Sequence, residues 1–361
     1  MHTESSCGWG GQELRILEES AGFLRKGHDV RIIAPPGSKI VEEAKRRSLA
    51  IDELPIARRT VTGWVALRRH LGRIRADIVN THSSTDSWLV ACSTMTMNRP
   101  PVVVRTRHVS APIPQNWPSR WLYQYSAAHV VTTGNALRSQ LMKETGLNES
   151  RVTSVPTGID LLKFRPGDRN LERNRLQIPQ DVFLIGIVAT LRSWKGHRFL
   201  LEAFATLKDS DIRLAIVGGG PGADNLRQQI FELGLRDKVF LPGNQQDVVP
   251  WIRAMDIFVL PSYANEGVPQ AIMQAQACGV PVISTPVGSI GELIENGSSG
   301  VMVPPRNPSA LAEAIAQLKR DSQFRTKLVA NALRRAREAY SDAKMIDSME
   351  LVFRKAIQDR A

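Results

Sequence analysis

Phe183-Leu184-Ile185-Gly186-Ile187-Val188-Ala189 is an uncharged, almost wholly apolar run; residues 198–207 follow with helical spacing, and then comes a second short run, Leu214-Ala215-Ile216-Val217. A short apolar run bounded by turn residues reads as a strand buried on both faces, and the helix between two such runs makes them a parallel crossover pair. Toward the C-terminus the scheme continues with a helix over 225–233, then Val239-Phe240-Leu241, Ile257-Phe258-Val259-Leu260 and a strand over 280–284. Toward the N-terminus, Leu14, Leu17, Ala21 and Leu24 mark a helix over 13–26 that Gly27 stops before the strand Val30-Arg31-Ile32-Ile33-Ala34. Short strands at 77–80, Val102-Val103-Val104 and Val130-Val131 follow. The expected fold class is therefore α/β, with enough units for two doubly wound parallel sheets and ligands at the carboxyl ends of the strands. Pro166-Gly167, with charged residues on either side, marks a boundary.

One element is missing from this scheme. Gly8-Trp9-Gly10-Gly11 leads into the first helix, where a doubly wound sheet has just left its central strand, yet only seven residues, mostly polar, stand before it. The expectation is either that the true start lies further upstream or that most of the first strand has been lost.

Composition narrows the class. The 361 residues suit two domains, and 42% hydrophobic with 23% charged residues excludes a mainly disordered chain. The longest near-continuous apolar stretch, residues 182–191, is half of the roughly 20 residues that a membrane-spanning helix needs. His2-Thr3-Glu4-Ser5-Ser6 lacks the basic and apolar parts of a secretory leader, and Cys7, Cys92 and Cys278 have neither disulfide-framework nor zinc-ligand spacing, so a cytoplasmic location is expected. The formal charge is +12, of which +9 lies in residues 1–170. That asymmetry calls for an anionic partner: nucleic acid, a membrane surface or a phosphorylated substrate. Aromatic residues do not interleave with the basic runs as stacking platforms do, which argues against nucleic acid.

The chemistry concentrates in Pro261-Ser262-Tyr263-Ala264-Asn265-Glu266-Gly267-Val268-Pro269-Gln270-Ala271-Ile272-Met273-Gln274-Ala275. A strand ends at Leu260, a loop carries a carboxylate, and a helix begins near Pro269. Amides freed at that start, with the helix dipole, form an anion site suited to a diphosphate. Gln270 and Gln274 lie four apart on one helix face.

This stretch resembles the retaining glycosyltransferases of family 4, which have the GT-B fold: two Rossmann-like doubly wound domains facing across a cleft. The family pattern, Glu, seven residues, Glu, then Gly-x-Pro-Val, stands here as Glu266, seven residues, Gln274, then Gly279-Val280-Pro281-Val282. The resemblance implies that Glu266 contacts the donor sugar and that Gln274, an amide in place of the second carboxylate, meets the ribose, with Gly267, Val268 and Gln270 beside the donor. Gly10-Gly11-Gln12-Glu13 resembles the glycine-rich loop through which backbone approaches donor or acceptor. Thr190-Leu191-Arg192-Ser193-Trp194-Lys195-Gly196 resembles the element whose Arg and Lys neutralise the donor diphosphate, with Lys195 in place and Arg192 displaced by two residues. Gly218-Gly219-Gly220-Pro221 resembles a second family turn, and the loop over 284–292, with Gly288 and Glu292, the one that closes the donor pocket. Arg105-Thr106-Arg107-His108 places His108 near the anomeric centre, and His82-Ser83-Ser84-Thr85-Asp86 on the acceptor side. Val155-Pro156-Thr157-Gly158-Ile159-Asp160 resembles the interdomain segment.

The resemblance implies an N-terminal acceptor-side domain over 1–165, with 342–361 crossing back onto it, and a C-terminal nucleotide-sugar domain over 166–341. The expected activity is retaining transfer of a sugar from a nucleoside-diphosphate donor to a hydroxyl of an envelope glycan or lipopolysaccharide, with His108 and Glu266 as the catalytic pair. No metal and no cofactor beyond the donor substrate are expected. A nucleotide-sugar epimerase of the same fold and a non-catalytic glycan-binding protein are the alternatives. Trp64, Leu67, Leu71 and Ile74 repeat at helical spacing among arginines, and Trp117-Pro118-Ser119-Arg120-Trp121 adds aromatics. Together they suggest a glycolipid acceptor and peripheral contact with the inner face of an anionic membrane.

Overall fold

The computed structural model describes residues 1–360. The chain divides into two compact units, Met1–Gly158 together with the chain from Asp342 onward, and Ile159–Ser341. The first boundary falls upstream of the Pro166-Gly167 break. Ile159 is already buried in the second unit's core, and its N–H donates to Tyr340 O at 2.8 Å.

The first unit is a parallel seven-stranded sheet: β1 (His2–Thr3), β2 (Ile32–Ala34), β3 (Ile51–Glu53), β4 (Ile78–Thr81), β5 (Val102–Arg107), β6 (His129–Thr132) and β7 (Val152–Ser154). Their order is β3-β2-β1-β4-β5-β6-β7, so the strand order reverses between β1 and β4. The central strand, β1, is only two residues long. His2 lies opposite Ile32 and Asn80, and Thr3 opposite Ile33 and Thr81. Its residues are polar, which hides it from any apolar pattern. They occupy the sheet centre because each buried side chain is hydrogen bonded, His2 to His82 and Thr3 to Asp86.

Around this sheet the helices bury apolar faces. In Val61–Ile74, Thr60 caps the start by accepting from Gly63 N at 3.1 Å, and Leu67 and Leu71 are buried in the unit's core with Trp64 packed on it. The apolar stripe of this helix, read above as a membrane candidate, is thus engaged by the protein's own core. Helix Asp342–Gln358 buries Met345, Ile346, Met349 and Val352 against Phe23, Val102 and Val104 of the same unit.

The second unit is a parallel six-stranded sheet: β8 (Phe183–Val188), β9 (Ile212–Val217), β10 (Val239–Gly243), β11 (Ile257–Leu260), β12 (Val282–Ser284) and β13 (Val301–Met302). The order β10-β9-β8-β11-β12-β13 reverses between β8 and β11. Both sheets therefore have a switch point, where the loops after two neighbouring strands part to opposite faces and leave a crevice.

Arg15 shows how polar groups are carried inside the first unit. Fully buried on helix Gly11–Arg25, it donates to Glu19 Oε1 at 2.5 Å, to Val155 O at 2.8 Å and to Thr157 Oγ1 at 3.2 Å. Arg15→Ala leaves the Glu19 carboxylate buried without its cation and is expected to cost about 3–5 kcal/mol. The paired change Arg15→Met with Glu19→Leu is expected to recover most of that loss, read from urea unfolding midpoints.

Candidate functional site

In the second unit the loops after β8 and β11 meet at the switch point. Glu266 is 3% exposed, and its Oε1 accepts from Lys195 Nζ at 2.7 Å and from Ser262 Oγ at 2.5 Å, while Oε2 accepts from Lys195 at 3.0 Å. The two loops are also tied through backbone, Tyr263 N donating to Trp194 O at 2.8 Å. Gly196, directly after Lys195, has φ +78°, and a Cβ there would stand 2.0 Å from Pro261 O. The loop holding Gly288 closes on Glu266 in the same way: at φ +59°, a Cβ would stand 2.0 Å from Glu266 O. Glycine is required at both places by handedness and by space. Behind Lys195, Gly222 N donates to Leu191 O at 2.9 Å, so the glycine turn after β9 supports the loop from below.

Past Glu266 the chain enters helix Gln270–Ala277, with Pro269 as its N-cap, one position earlier than a first helical residue. The helix has no side-chain cap and no acid in its first turn, so its positive end keeps its attraction for an anion. Gly267, Val268 and Gln274 are buried beside it, and Gln270 is half-buried. Arg192, expected to share the diphosphate with Lys195, is exposed with its guanidinium over the Trp194 ring at 5.6 Å; its backbone carbonyl accepts from Lys195 N at 3.1 Å, while its side chain points away from the Lys195–Glu266 ion pair.

In the first unit, Glu4, His82 and His108 each follow the last residue of neighbouring strands β1, β4 and β5. His82 Nδ1 lies 2.9 Å from His108 Nε2, and His82 Nε2 lies 3.0 Å from His2 Nδ1. Burial holds all three imidazoles well below the ordinary histidine range, with Arg15 adding to the effect, so they are neutral at pH 7. Asp86 accepts from His82 N at 2.9 Å, Ser83 Oγ at 2.7 Å and Thr3 Oγ1 at 2.8 Å. It closes a capping box on helix Ser84–Thr94 and binds β1 to the end of β4, which makes it architectural. Gly10 is the N-cap of helix Gly11–Arg25, and Gln12 turns back from that helix to donate to Glu4. Burial first, then the charges of Asp86 and Glu13, push the Glu4 carboxyl up to about 8.

The structure thus brings Lys195, Glu266, Gly267, Val268 and Gln274 together in one unit and Gly10, Gly11 and His108 into the other unit's switch region, and leaves Arg192 aside. Sequence reasoning missed Ser262 as a partner of Glu266, and it missed His2 and Glu4 altogether. Their signal was positional: a polar pair standing where a doubly wound sheet needs its central strand.

Two Rossmann-like parallel-sheet units of this kind define the GT-B class. Residues 9–162 match Glycosyltransferase Family 4 and residues 168–335 match Glycosyl transferases group 1, so the chain carries these two glycosyltransferase domains in that order. It is 34% identical over 232 residues to D-inositol 3-phosphate glycosyltransferase 1 of Catenulispora acidiphila, a match covering 61% of this chain and 55% of that protein. The chain therefore spans little more than half the length of that relative. A D-inositol 3-phosphate glycosyltransferase of Corynebacterium glutamicum is 28% identical, with 91% and 88% covered. Among solved structures, a glycosyltransferase from Rickettsia africae superposes with a TM-score of 0.87 at 22% identity, covering 99% of this chain and 98% of that one. Anabaena Alr3699/HepE in complex with UDP-glucose gives 0.87 at 19% identity, with 98% of both chains covered.

Glu4 supplies a stability prediction with a definite sign. Its ordinary value is 4.5 and its folded value about 8, so the folded protein favours the protonated acid. That stabilisation is complete below 4.5 and is lost as pH rises through 8. Glu4→Gln, neutral throughout, is expected to melt progressively higher than the parent between pH 5 and pH 9, with the gap smallest in acid; melting curves across that range read the difference.

Proposed function

We infer that the protein is a glycosyltransferase that moves a sugar from a nucleoside-diphosphate donor to a hydroxyl of an envelope glycan or glycolipid, with retention at the anomeric carbon. One observation carries the reading: a buried Glu266 held by Lys195 and Ser262, directly before an uncapped helix start at the sheet's switch point. A diphosphate placed at that helix start meets the dipole and the Lys195 ammonium, and Glu266 is left to accept from sugar hydroxyls. As the bond from the anomeric carbon to the phosphate oxygen breaks, its electron pair goes to the diphosphate, whose growing charge these groups stabilise. The acceptor oxygen bonds to the same face and its proton passes to the departing phosphate oxygen. Neither a metal nor a cofactor is required for the countercharge. His108 positions the donor sugar from the first unit, Gly10 and Gly11 bring backbone close to the substrates, and Gln274 hydrogen bonds the ribose. Arg192, exposed on its loop, swings toward the phosphates when the donor arrives.

The solved Anabaena structure with UDP-glucose supports a uridine diphosphate sugar as the first donor to try. The relatives named for D-inositol 3-phosphate support a phosphorylated acceptor, which suits the +9 charge of residues 1–170. A phosphorylated glycolipid at the inner face of the cytoplasmic membrane satisfies that charge and the expected location, with exposed Trp117 available for peripheral contact.

A thermal-shift screen with nucleoside diphosphates and their sugar conjugates tests the donor half, since a specific ligand raises the melting temperature by mass action. At least one sugar nucleotide is expected to do so, and Lys195→Ala is expected to abolish that shift, measured against the variant's own unliganded melting temperature, and to lower transfer by about 100-fold or more; the unliganded variant itself is expected to melt below the parent, because buried Glu266 loses its cation. Conversion of the donor sugar without any acceptor identifies an epimerase instead, and the absence of any nucleotide-dependent shift sinks the reading.

A further inference from the structure

His82 has both ring nitrogens engaged by other imidazoles: Nδ1 at 2.9 Å from His108 Nε2, and Nε2 at 3.0 Å from His2 Nδ1. The rings stand 5.2 Å apart at both steps, tilted by 30° and 31°. A neutral imidazole carries one N–H and one lone pair, so each contact needs a donor on one side and an acceptor on the other. With both nitrogens of His82 committed, only two arrangements of protons satisfy both contacts. Either every ring holds its proton on Nε2 and the chain donates from His108 through His82 to His2, or every ring holds it on Nδ1 and the chain runs backwards. No ring changes tautomer alone.

Neutrality is required for this locking, and the surroundings enforce it. The cluster is packed inside the first unit, and the Arg15 guanidinium disfavours a second positive charge on any of the three rings. The frame is rigid: His82 N is bonded to Asp86, and His2 sits in register with Asn80 on the neighbouring strand. The Nε2–H form is the one a neutral histidine side chain prefers on its own, and in the first arrangement all three rings adopt it. The outer nitrogen of His108, Nδ1, makes no hydrogen bond among the described residues, and the residue is only partly buried.

We propose that His2 and His82 are positioning residues that act as one imidazole chain with His108, fixing its proton on Nε2 and so presenting Nδ1 to the substrate as a hydrogen-bond acceptor for a sugar hydroxyl. The substrate part of this statement rests on the reading of His108 given above; the chain of tautomers does not. It assigns a role to two residues that approach the site only through His108.

The test is histidine-selective 15N NMR of the full-length protein at pH 7. Expected are unprotonated Nδ1 and protonated Nε2 at His2, His82 and His108, assigned through single-histidine variants. A His108 ring protonated on Nδ1, or a His82 imidazolium, overturns the proposal. Two substitutions extend the test. In His82→Leu, His108 is expected to lose its single tautomer, and transfer is expected to fall by about tenfold or more with little change in donor KM. In His82→Asn, whose side-chain oxygen can accept from His108 Nε2, tautomer and rate are both expected to be largely restored. If His82→Leu leaves tautomer and kcat as in the parent, the chain has no positioning role. If no sugar nucleotide binds the parent protein while the tautomer pattern holds, the functional reading fails and the imidazole chain stands.

Discussion

A carboxylate taken out of water has to meet a cation or a set of donors, and the second unit is arranged around that need at Glu266. Lys195 and Ser262 satisfy it from two different loops, which approach closely enough that a side chain is excluded at Gly196, while a third loop, after β12, closes on Glu266 with a side chain excluded at Gly288. The loops reach one another because β8 and β11 are neighbours in space although two strands lie between them in the chain. Sheet order, glycine placement and charge pairing are therefore one constraint seen at three scales. A ligand that offers a diphosphate to Lys195 competes with Glu266 for the same ammonium, and the carboxylate is then released toward whatever hydroxyls the ligand carries.

The first unit solves a related problem with neutral groups. Its central strand is polar, and every side chain there is matched: His2 to His82, Thr3 to Asp86, Glu4 to Ser6 N and Gln12. Buried polar networks of this kind cost little when complete and a great deal when one member is removed. The unit thus carries its candidate chemistry in the same residues that close its sheet, and stability and site are coupled there more tightly than in the second unit, whose sheet centre is apolar.

What could be read from the sequence follows from this contrast. Strands β8, β9 and β11 are buried on both faces and spell themselves out as apolar runs, so their loops, and with them Lys195 and Glu266, could be located by counting from the strand ends. β1 could not be read in that way, because His2 and Thr3 have no hydrophobic signature and their fitness for the sheet centre depends on His82 and Asp86, far away in the chain. β3 and β13 escaped for a simpler reason: neither has a fully buried residue. Arg192 shows the limit of spacing as a guide. It stands near the expected position, but the loop turns its side chain onto Trp194 and into solvent. The stripe at Trp64, Leu67 and Leu71 reads identically whether its partner is lipid or protein, and only the packed structure distinguishes them.

Helix Asp342–Gln358 completes the first unit although 183 residues of the second unit separate it from Gly158. During synthesis the second unit, whose chain is continuous, has all of its residues available before the first does. Phe23, Val102 and Val104 must wait for Met345, Ile346 and Met349 to emerge from the ribosome. Domains ordinarily mature in the order in which they are made; here the nascent chain has to hold an unfinished apolar surface at its front while the part made later folds behind it.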